Sequence, residues 1–536
     1  MTRSLVVVLT ALTLSSCFHE ELPELNEEEF GEARPLVLGK KLSNPFAIDN
    51  MQRAYQNLHK SDSASFLFLE TLKPTHWYIR FLPENFEQYD ALAADSSLEL
   101  FDHPLDFEIA QPGDFYHDPA VPSDRPTYQY ARVPVGYTSL HNVAFEILDE
   151  LYLPRFGTNS LRLMGRVQSG SEVEEEQLEE EAFRLAGYTV DEPAVTPNSA
   201  ARKNSKWTPS GKITVYDSRL KKYIPLAGVK IQARRWFEVE TAITNEEGYY
   251  RMNDAFRKEV SYKLIWERDR FDIRSGTFGQ AVVNGPKRRG EWNLQIEANS
   301  INFHYAHVFR AAMRYYYGDI GGLKRPGFRL KYSVFNKRGN HMARNIGNWS
   351  AFGINPNILI YRYSSLDGSE NDSDEMFSAT CHETAHTTHM EVMRGGVVQF
   401  SQVSEKIRES WAIGVEWYIT QLEYKELGIP NYAEPSYGVQ VNYPSLYGFQ
   451  FWSKDRNESL TSLFIDLVDK NNQKGQRFGN YKSGSVDDRI YGYSMAEIES
   501  SILKDSYGLS SLSANLKKHK KAETTDELID LFLGYF

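Results

Sequence analysis

Cysteine is nearly absent from the 536 residues: only Cys17 and Cys381 occur. A disulfide-stapled fold is thereby excluded, and stability must come from buried apolar cores. An excess of positive charge is absent as well. The 60 Lys and Arg face 72 Asp and Glu, a net charge of −12, which argues against a nucleic-acid or anionic-membrane surface. Beyond residue 17 no apolar run approaches the ~18 residues of a transmembrane helix. Length and aromatic side chains are plentiful. The chain is too long for one core and predicts roughly three or four domains. Its 32 Tyr, 30 Phe and 9 Trp point to cores and interfaces rather than to one activity.

The stretch that organises the chain is residues 376–393, which contains His382-Glu383-Thr384-Ala385-His386. On a helix each residue advances about 100°, so His382 and His386 lie nearly above one another and can meet one ion. Glu383 then sits about 100° round, beside the ion, where it can take a proton from water. With 13 His in the chain, chance placement gives on the order of 0.02 such patterns. Two neighbours do not fit the same site. Cys381 points about 100° away from His382 and reads as a small buried residue. His389 shares the stripe but lies a turn further along, too far to complete the same tetrahedron.

The pattern resembles the zincin metallopeptidases, in which a helix and a sheet precede the HExxH helix. Residues 301–317 carry helical apolar spacing, 328–335 and 357–363 read as strands, and the order matches. The resemblance implies that an edge strand binds the substrate backbone, and residues 357–363 are the candidate. It also implies a third ligand. The metzincin continuation HExxHxxGxxH fails, because His389 and Val392 stand at its Gly and final His positions. Glu409-Ser410-Trp411-Ala412 resembles the gluzincin Glu-x-x-Ala element. That likeness implies Glu409 as third ligand, with His382 and His386, to a Zn²⁺ ion, and Glu383 as general base. Glu416, seven residues on and on the same face, is the rival ligand or the partner that orients a histidine. Ile413 occupies the position where some gluzincins carry a supporting Asp. Tyr437, Tyr443 and Tyr447 are undivided candidates for stabilising a tetrahedral intermediate. His304 and His307 in the preceding helix read as packed or solvent-facing residues, and His117-Asp118 as part of a turn.

The N-terminus adds a location. Residues 1–17 hold Arg3, an apolar run from Leu5 to Leu14, and Leu14-Ser15-Ser16-Cys17. This fits a secretory signal and resembles a bacterial lipobox, which implies cleavage before Cys17 and lipidation of its thiol. An acidic tether over 18–45 follows and is similar to the surface-export signal of Bacteroidetes lipoproteins. Residues 46–190 predict an α/β domain opening with a β-α-β unit, and 172–186 an acidic helix with a solvated face. A linker occupies 191–207. Short alternating strands over 208–297 predict a β-sandwich. Pro225-Leu-Ala-Gly-Val229 with Thr244-Asn-Glu-Glu-Gly-Tyr-Tyr250 resembles a carboxypeptidase regulatory-like, transthyretin-like domain, which implies a non-catalytic module. Residues 298–536 form the gluzincin-like domain, helical over most of its second half.

The expectation is thus a multidomain α+β protein: a zinc-dependent peptide hydrolase, lipid-anchored at a bacterial outer membrane or cell surface, acting on a peptide or protein substrate. The alternative from another class is a surface lipoprotein with a decayed site that binds peptides or glycans. Substrate preference and oligomeric state are left open.

Overall fold

The computed structural model describes residues 35–536 apart from 61–71, 96, 114, 123–124, 139–140, 154–170, 189–205, 277–278, 344–356, 394–395, 431, 433–449, 451–452, 454–458 and 476–485. Cys17, most of the acidic tether and linker, and Tyr437, Tyr443 and Tyr447 lie outside the described residues. The protein is a mixed α/β chain with several sheets and eleven α-helices among the described residues. None of these helices is long and apolar enough to cross a membrane.

The N-terminal region contains β1 (Val37–Lys41), α1 (Ile48–Leu58), β2 (His76–Phe81), α2 (Phe86–Ala93), β3 (Phe107–Gln111), β4 (Gln129–Pro134), β5 (Phe145–Leu151) and α3 (Ser171–Leu185). The expected β-α-β unit does not form: its second strand, placed at 97–101, is reduced to one antiparallel bridge from Phe101 to Tyr130 of β4. Strand β2 pairs antiparallel with β4 and β5, whereas β3 pairs with β1. Helix α3 buries Leu178 and Ala182 against Met51 and Ala54 of α1. Its acidic face is not left to solvent. Glu179 pairs with Arg235, Glu175 with Arg257 at 3.4 Å and Glu180 with Lys258 at 2.8 Å, so the charge run docks this region on the next one.

That next region holds β6 (Ser210–Asp217), β7 (Lys222–Pro225), β8 (Lys230–Arg235), β9 (Glu238–Ile243), β10 (Tyr249–Arg251), β11 (Val260–Ile265), β12 (Glu267–Arg268), β13 (Phe271–Ser275), β14 (Gly279–Gln280), β15 (Val282–Arg288) and β16 (Leu294–Ile296). Two four-stranded sheets form, β10-β6-β16 with β7 beside β6, and β15-β11-β8-β9. Alternating residues such as Ile213, Val215, Ile231, Ala233, Tyr262 and Leu264 fill one core with Trp266 and Trp292. Gly248 has φ +79° and a Cβ there would lie 2.4 Å from the Ile213 carbonyl, so the turn before β10 requires glycine.

Strands β12–β14 leave this region. Together with β17 (Leu330–Gly339), β18 (Met342–Ala343) and β19 (Ile358–Ser364) they make a six-stranded sheet ordered β12-β13-β17-β19-β18, with β14 beside β13. The pairs β13–β17 and β17–β19 are parallel, and β18 closes the edge antiparallel to β19. The boundary drawn at 297/298 therefore runs through a shared sheet and core. The expectation that 357–363 is an edge strand is corrected: β19 is flanked by β17 and β18, with the Tyr361 N–H further bonded to His341 and the Tyr361 carbonyl to Asn371. The edge is β18.

Helix α4 (Ile301–Tyr317) covers this sheet, followed by α5 (Ser373–Val392), α6 (Val397–Phe400), α7 (Glu405–Glu426), α8 (Leu463–Asp466), α9 (Met495–Glu497), α10 (Leu509–Lys518) and α11 (Asp526–Leu533). Asp217 at the end of β6 is fully buried. It accepts from Arg310 of α4 at 3.1 Å and from the Tyr424 hydroxyl of α7 at 3.0 Å, while Arg310 also donates to Glu423 at 2.8 Å. A charge buried this deeply is tolerated only when paired and hydrogen-bonded. The network fixes the two-sheet region, α4 and α7 in one arrangement.

Candidate metal centre

Helix α5 is polar in sequence yet buried along almost its whole length from Met376 to Met390. Its threonines explain how. Thr380 and Thr384 donate to the carbonyls of Met376 and Thr380 at 2.7 Å, and Thr388 to that of Ala385 at 3.2 Å. Their hydroxyls also meet the sheet and α4, through Tyr332–Thr384 and Tyr315–Thr388, each at 3.1 Å. Every polar group so placed avoids the cost of an unmade hydrogen bond. The helix starts at Asp372, whose N–H donates to Glu375 at 2.7 Å.

Helix α7 returns antiparallel against α5 after the short α6. Glu409, in its second turn, therefore faces His386 and His382, and Glu416, two turns on, faces His382 from behind. The Glu409 Oε2 lies 3.3 Å from His382 Nε2 and 3.5 Å from His386 Nε2. The two imidazole rings stand 5.0 Å apart at 81° to one another. A tetrahedron with metal–ligand bonds of about 2.0–2.1 Å has edges of roughly 3.3–3.4 Å, so these separations fit one ion. The side chains of all three are at most a tenth exposed. Burial alone would raise the Glu409 carboxyl, but His386 and His382 hold it well below the usual carboxylate range.

Glu416 is not a ligand in this arrangement. Its Oε2 accepts from His382 Nδ1 at 3.0 Å, which leaves the Nε2 lone pair aimed at Glu409. A carboxylate behind a histidine fixes its tautomer and strengthens it as a donor to a metal. Ala412 is fully buried and gives α7 a flat face one turn beyond Glu409.

Glu383 is buried, and its Oε2 has no hydrogen-bond partner among the described residues. Burial raises its carboxyl, His382 and His386 oppose that, Glu409 adds to it, and the backbone N–H of Ala343 in β18 bonds the group. A buried carboxylate oxygen left open beside two histidines is costly unless something else meets it there.

The remaining histidines fall elsewhere. His389 is fully buried, edge-on to Phe400 at 5.1 Å and Trp411 at 6.4 Å, and burial lowers it to about 3; it is outside the three-ligand group. Cys381 is buried and its thiol pushed well up by that burial. In α4, His307 bonds the Tyr216 carbonyl at 3.0 Å and His304 that of Ser300 at 3.2 Å. His117 lies in a turn, with its ring nitrogens 3.2 Å from the Asp118 carbonyl and 3.1 Å from that of Arg125. One residue escaped the sequence reading. His341, just before β18, accepts from the Tyr361 N–H at 3.2 Å and is lowered to about 4, first by burial and then by His382. In sequence it is a lone histidine in a polar loop, with nothing periodic to mark it.

Taken together, two imidazoles and one carboxylate converge with an orienting carboxylate behind and a base-type carboxylate beside them. Such a set has the donors for a borderline divalent ion such as zinc.

Comparison with known proteins adds little. No family model matches the chain, and no curated protein matches it. Among solved structures, a crystal structure of (S)-allantoin synthase aligns over 26% of this chain and 56% of its own, at 14% identity and a TM-score of 0.13, a score from which no shared fold follows.

Proposed function

We propose that the protein is a zinc-dependent metallopeptidase, with His382, His386 and Glu409 holding Zn²⁺ and Glu383 as general base. The convergence of the Glu409 carboxylate on both histidine Nε2 atoms, across 27 and 23 residues of chain respectively, carries this reading. Zinc, when bound there, would lower the pKa of a water to about 7 and polarise a carbonyl. The chain's own residues supply the rest. Glu383 Oε2, open and beside the histidines, accepts the proton of the attacking water and returns it to the departing amine nitrogen. Glu416 holds His382 in the tautomer that presents Nε2.

The zincin-type fold of residues 298–536 and the transthyretin-like character of 208–297 belong to the same proposal, as does lipid anchoring at Cys17 on a bacterial surface. Mass spectrometry of the mature N-terminus should find an acylated Cys17; an unmodified cysteine or a cut elsewhere would remove the anchor.

The function is tested by incubating a mixed peptide library with zinc-loaded protein. Wild type should cut peptides, and Glu383→Gln should retain zinc without cutting. Zinc retained by wild type with no cleavage of any peptide would instead favour the alternative, a surface binding module.

A further inference from the structure

A second group of acidic side chains lies away from the histidines. Asp466 ends α8, Asp469 follows one turn later, and Asp488 comes from the segment before α9. One carboxylate oxygen of each lies within 4.8 Å of the others. Asp466 is fully buried and Asp488 is 5% exposed. Both Asp469 oxygens accept hydrogen bonds, Oδ1 from the Asn471 N–H at 3.2 Å and Oδ2 from Gln450, but Asp466 and Asp488 are each satisfied on one oxygen alone. Ser462 donates to Asp466 Oδ2 at 2.6 Å and the Ile490 N–H to Asp488 Oδ1 at 3.2 Å. Asp466 Oδ1 and Asp488 Oδ2 are buried and have no partner among the described residues.

A buried amide is linked to Asp469 through a second one. Gln473 is 1% exposed and its Oε1 is likewise without a partner among the described residues. Its Nε2 donates to Gln450 Oε1 at 3.0 Å, and Gln450 Nε2 donates to Asp469 Oδ2 at 2.5 Å. The chain Gln473–Gln450–Asp469 thus fixes the Asp469 carboxylate against buried amides.

No Lys or Arg among the described residues pairs with any of the three. The contrast is Asp487, one residue from Asp488 and also buried, which pairs with Lys474 at 2.8 Å and Arg489 at 2.6 Å. Burial pushes Asp469 up to about 7 against the hydrogen bonds from Asn471; burial and repulsion from Asp469 push Asp488 up to about 8, and burial with repulsion from Asp488 and Asp469 puts Asp466 well above its usual range. Like charges so close in a dry site demand a proton or a cation between them.

We propose that Asp466, Asp469 and Asp488, converging with two buried oxygens left open, form a structural calcium site. All the donors are oxygens, which favours a hard cation over zinc. Calcium–oxygen bonds of about 2.3–2.6 Å place opposite ligands roughly 4.6–5.2 Å apart, and the spread of these oxygens fits within that span. The irregular segments around 467–475 and 486–490 can add backbone carbonyls, as a six- to eight-fold oxygen shell requires.

The site also has a purpose in the fold. Residues 459–466 lie on the back of α7, next to Glu409. The Thr461 N–H donates to Ser410 Oγ at 3.1 Å, and Phe464 meets Trp411 edge-on at 5.4 Å. Gly414 makes room: a Cβ there would stand 3.1 Å from Phe464 Cβ. An ion shared by Asp466, Asp469 and Asp488 staples two segments, far apart in sequence, onto the helix that carries the third zinc ligand.

The test uses the full mature chain loaded with zinc in calcium-free buffer. On equilibrium dialysis against calcium chloride, metal analysis should show one additional calcium per chain with zinc unchanged, and the melting temperature should rise. Asp469→Asn and Asp488→Asn should each weaken calcium uptake about tenfold or more by removing a charged ligand, while zinc content stays the same. His386→Ala should do the reverse, losing zinc and keeping calcium. No calcium uptake by wild type at millimolar calcium would overturn the proposal, whatever the variants do. So would uptake unchanged in both Asn variants, or magnesium displacing calcium at equal concentration. Because zinc and calcium are counted separately, failure here leaves the peptidase reading standing, and the converse also holds.

Discussion

The His382–His386–Glu409 group and the Asp466–Asp469–Asp488 group share helix α7 as neighbour but are built in opposite ways. The first draws nitrogen and oxygen donors from two long helices, whose 3.6-residue period sets two of the three ligands by local geometry alone. A carboxylate behind His382 holds that donor in position. The second draws oxygen donors from one short helix and two irregular segments, joined only by tertiary folding. Rigid, few-ligand sites suit chemistry at an ion with an open position, and flexible all-oxygen sites suit structural cations. The difference is what the two proposals rest on, catalysis for the first group and bracing for the second.

The largest effect that would sharpen this division is loss of the base. Glu383→Gln should lower kcat by about 10²–10⁴-fold, with zinc and calcium contents both unchanged; kcat of pure protein, read beside metal analysis, checks it. Next comes the orienting carboxylate. Glu416→Gln should weaken zinc binding by about 10–100-fold and leave calcium binding alone, measurable by competition with a zinc chelator. An equal loss of both metals would mean that the variant had disturbed α7 rather than the His382 tautomer.

A smaller effect concerns pH. Arg310 donates to His307 Nδ1 at 2.8 Å, and His307 Nε2–H donates to the Tyr216 carbonyl, so this ring is held neutral. Burial first and Arg310 second lower it well below 6.5. Below pH ~6.5 the unfolded chain takes up a proton that the folded one refuses, so stability is full above that pH and lost as pH falls. The expected slope is about 1.4 kcal/mol per pH unit per such histidine. His304, lowered to about 4 by burial and Arg362, adds a second. Denaturant unfolding of His307→Gln should show a slope shallower by about half a proton at pH 6.5, rising to nearly one at pH 5; an unchanged slope would contradict the neutral tautomer. Smallest of all, Thr384→Val removes the hydroxyl between Tyr332 and the Thr380 carbonyl and should cost about 1 kcal/mol, read as a lowered melting temperature at unchanged zinc content.

The two groups were also unequally legible in sequence. His382, Glu383 and His386 stand out because helical geometry converts a spacing of four into a shared face. Glu409 emerges from its likeness to a known element, and Glu416 from a repeat of seven on one helix. Asp488, 22 residues from Asp466, carries no periodic signal, and only folding brings it back. His341 is silent for the same reason. Sheet membership followed a similar rule. Phe271–Ser275 alternates like its neighbours in the two-sheet region, and nothing local says that it pairs in parallel with Leu330–Gly339 instead. The acidic helix was legible as a helix, while its docking on Arg235, Arg257 and Lys258 depends on partners far along the chain.

Anomalous diffraction recorded on either side of the zinc absorption edge, from crystals of the zinc-loaded protein, tests the central claim most directly. The account predicts one strong zinc peak bounded by His382 Nε2, His386 Nε2 and the Glu409 carboxylate, and none at Asp466, Asp469 and Asp488. No peak among the histidines, or zinc at the aspartates instead, would contradict it.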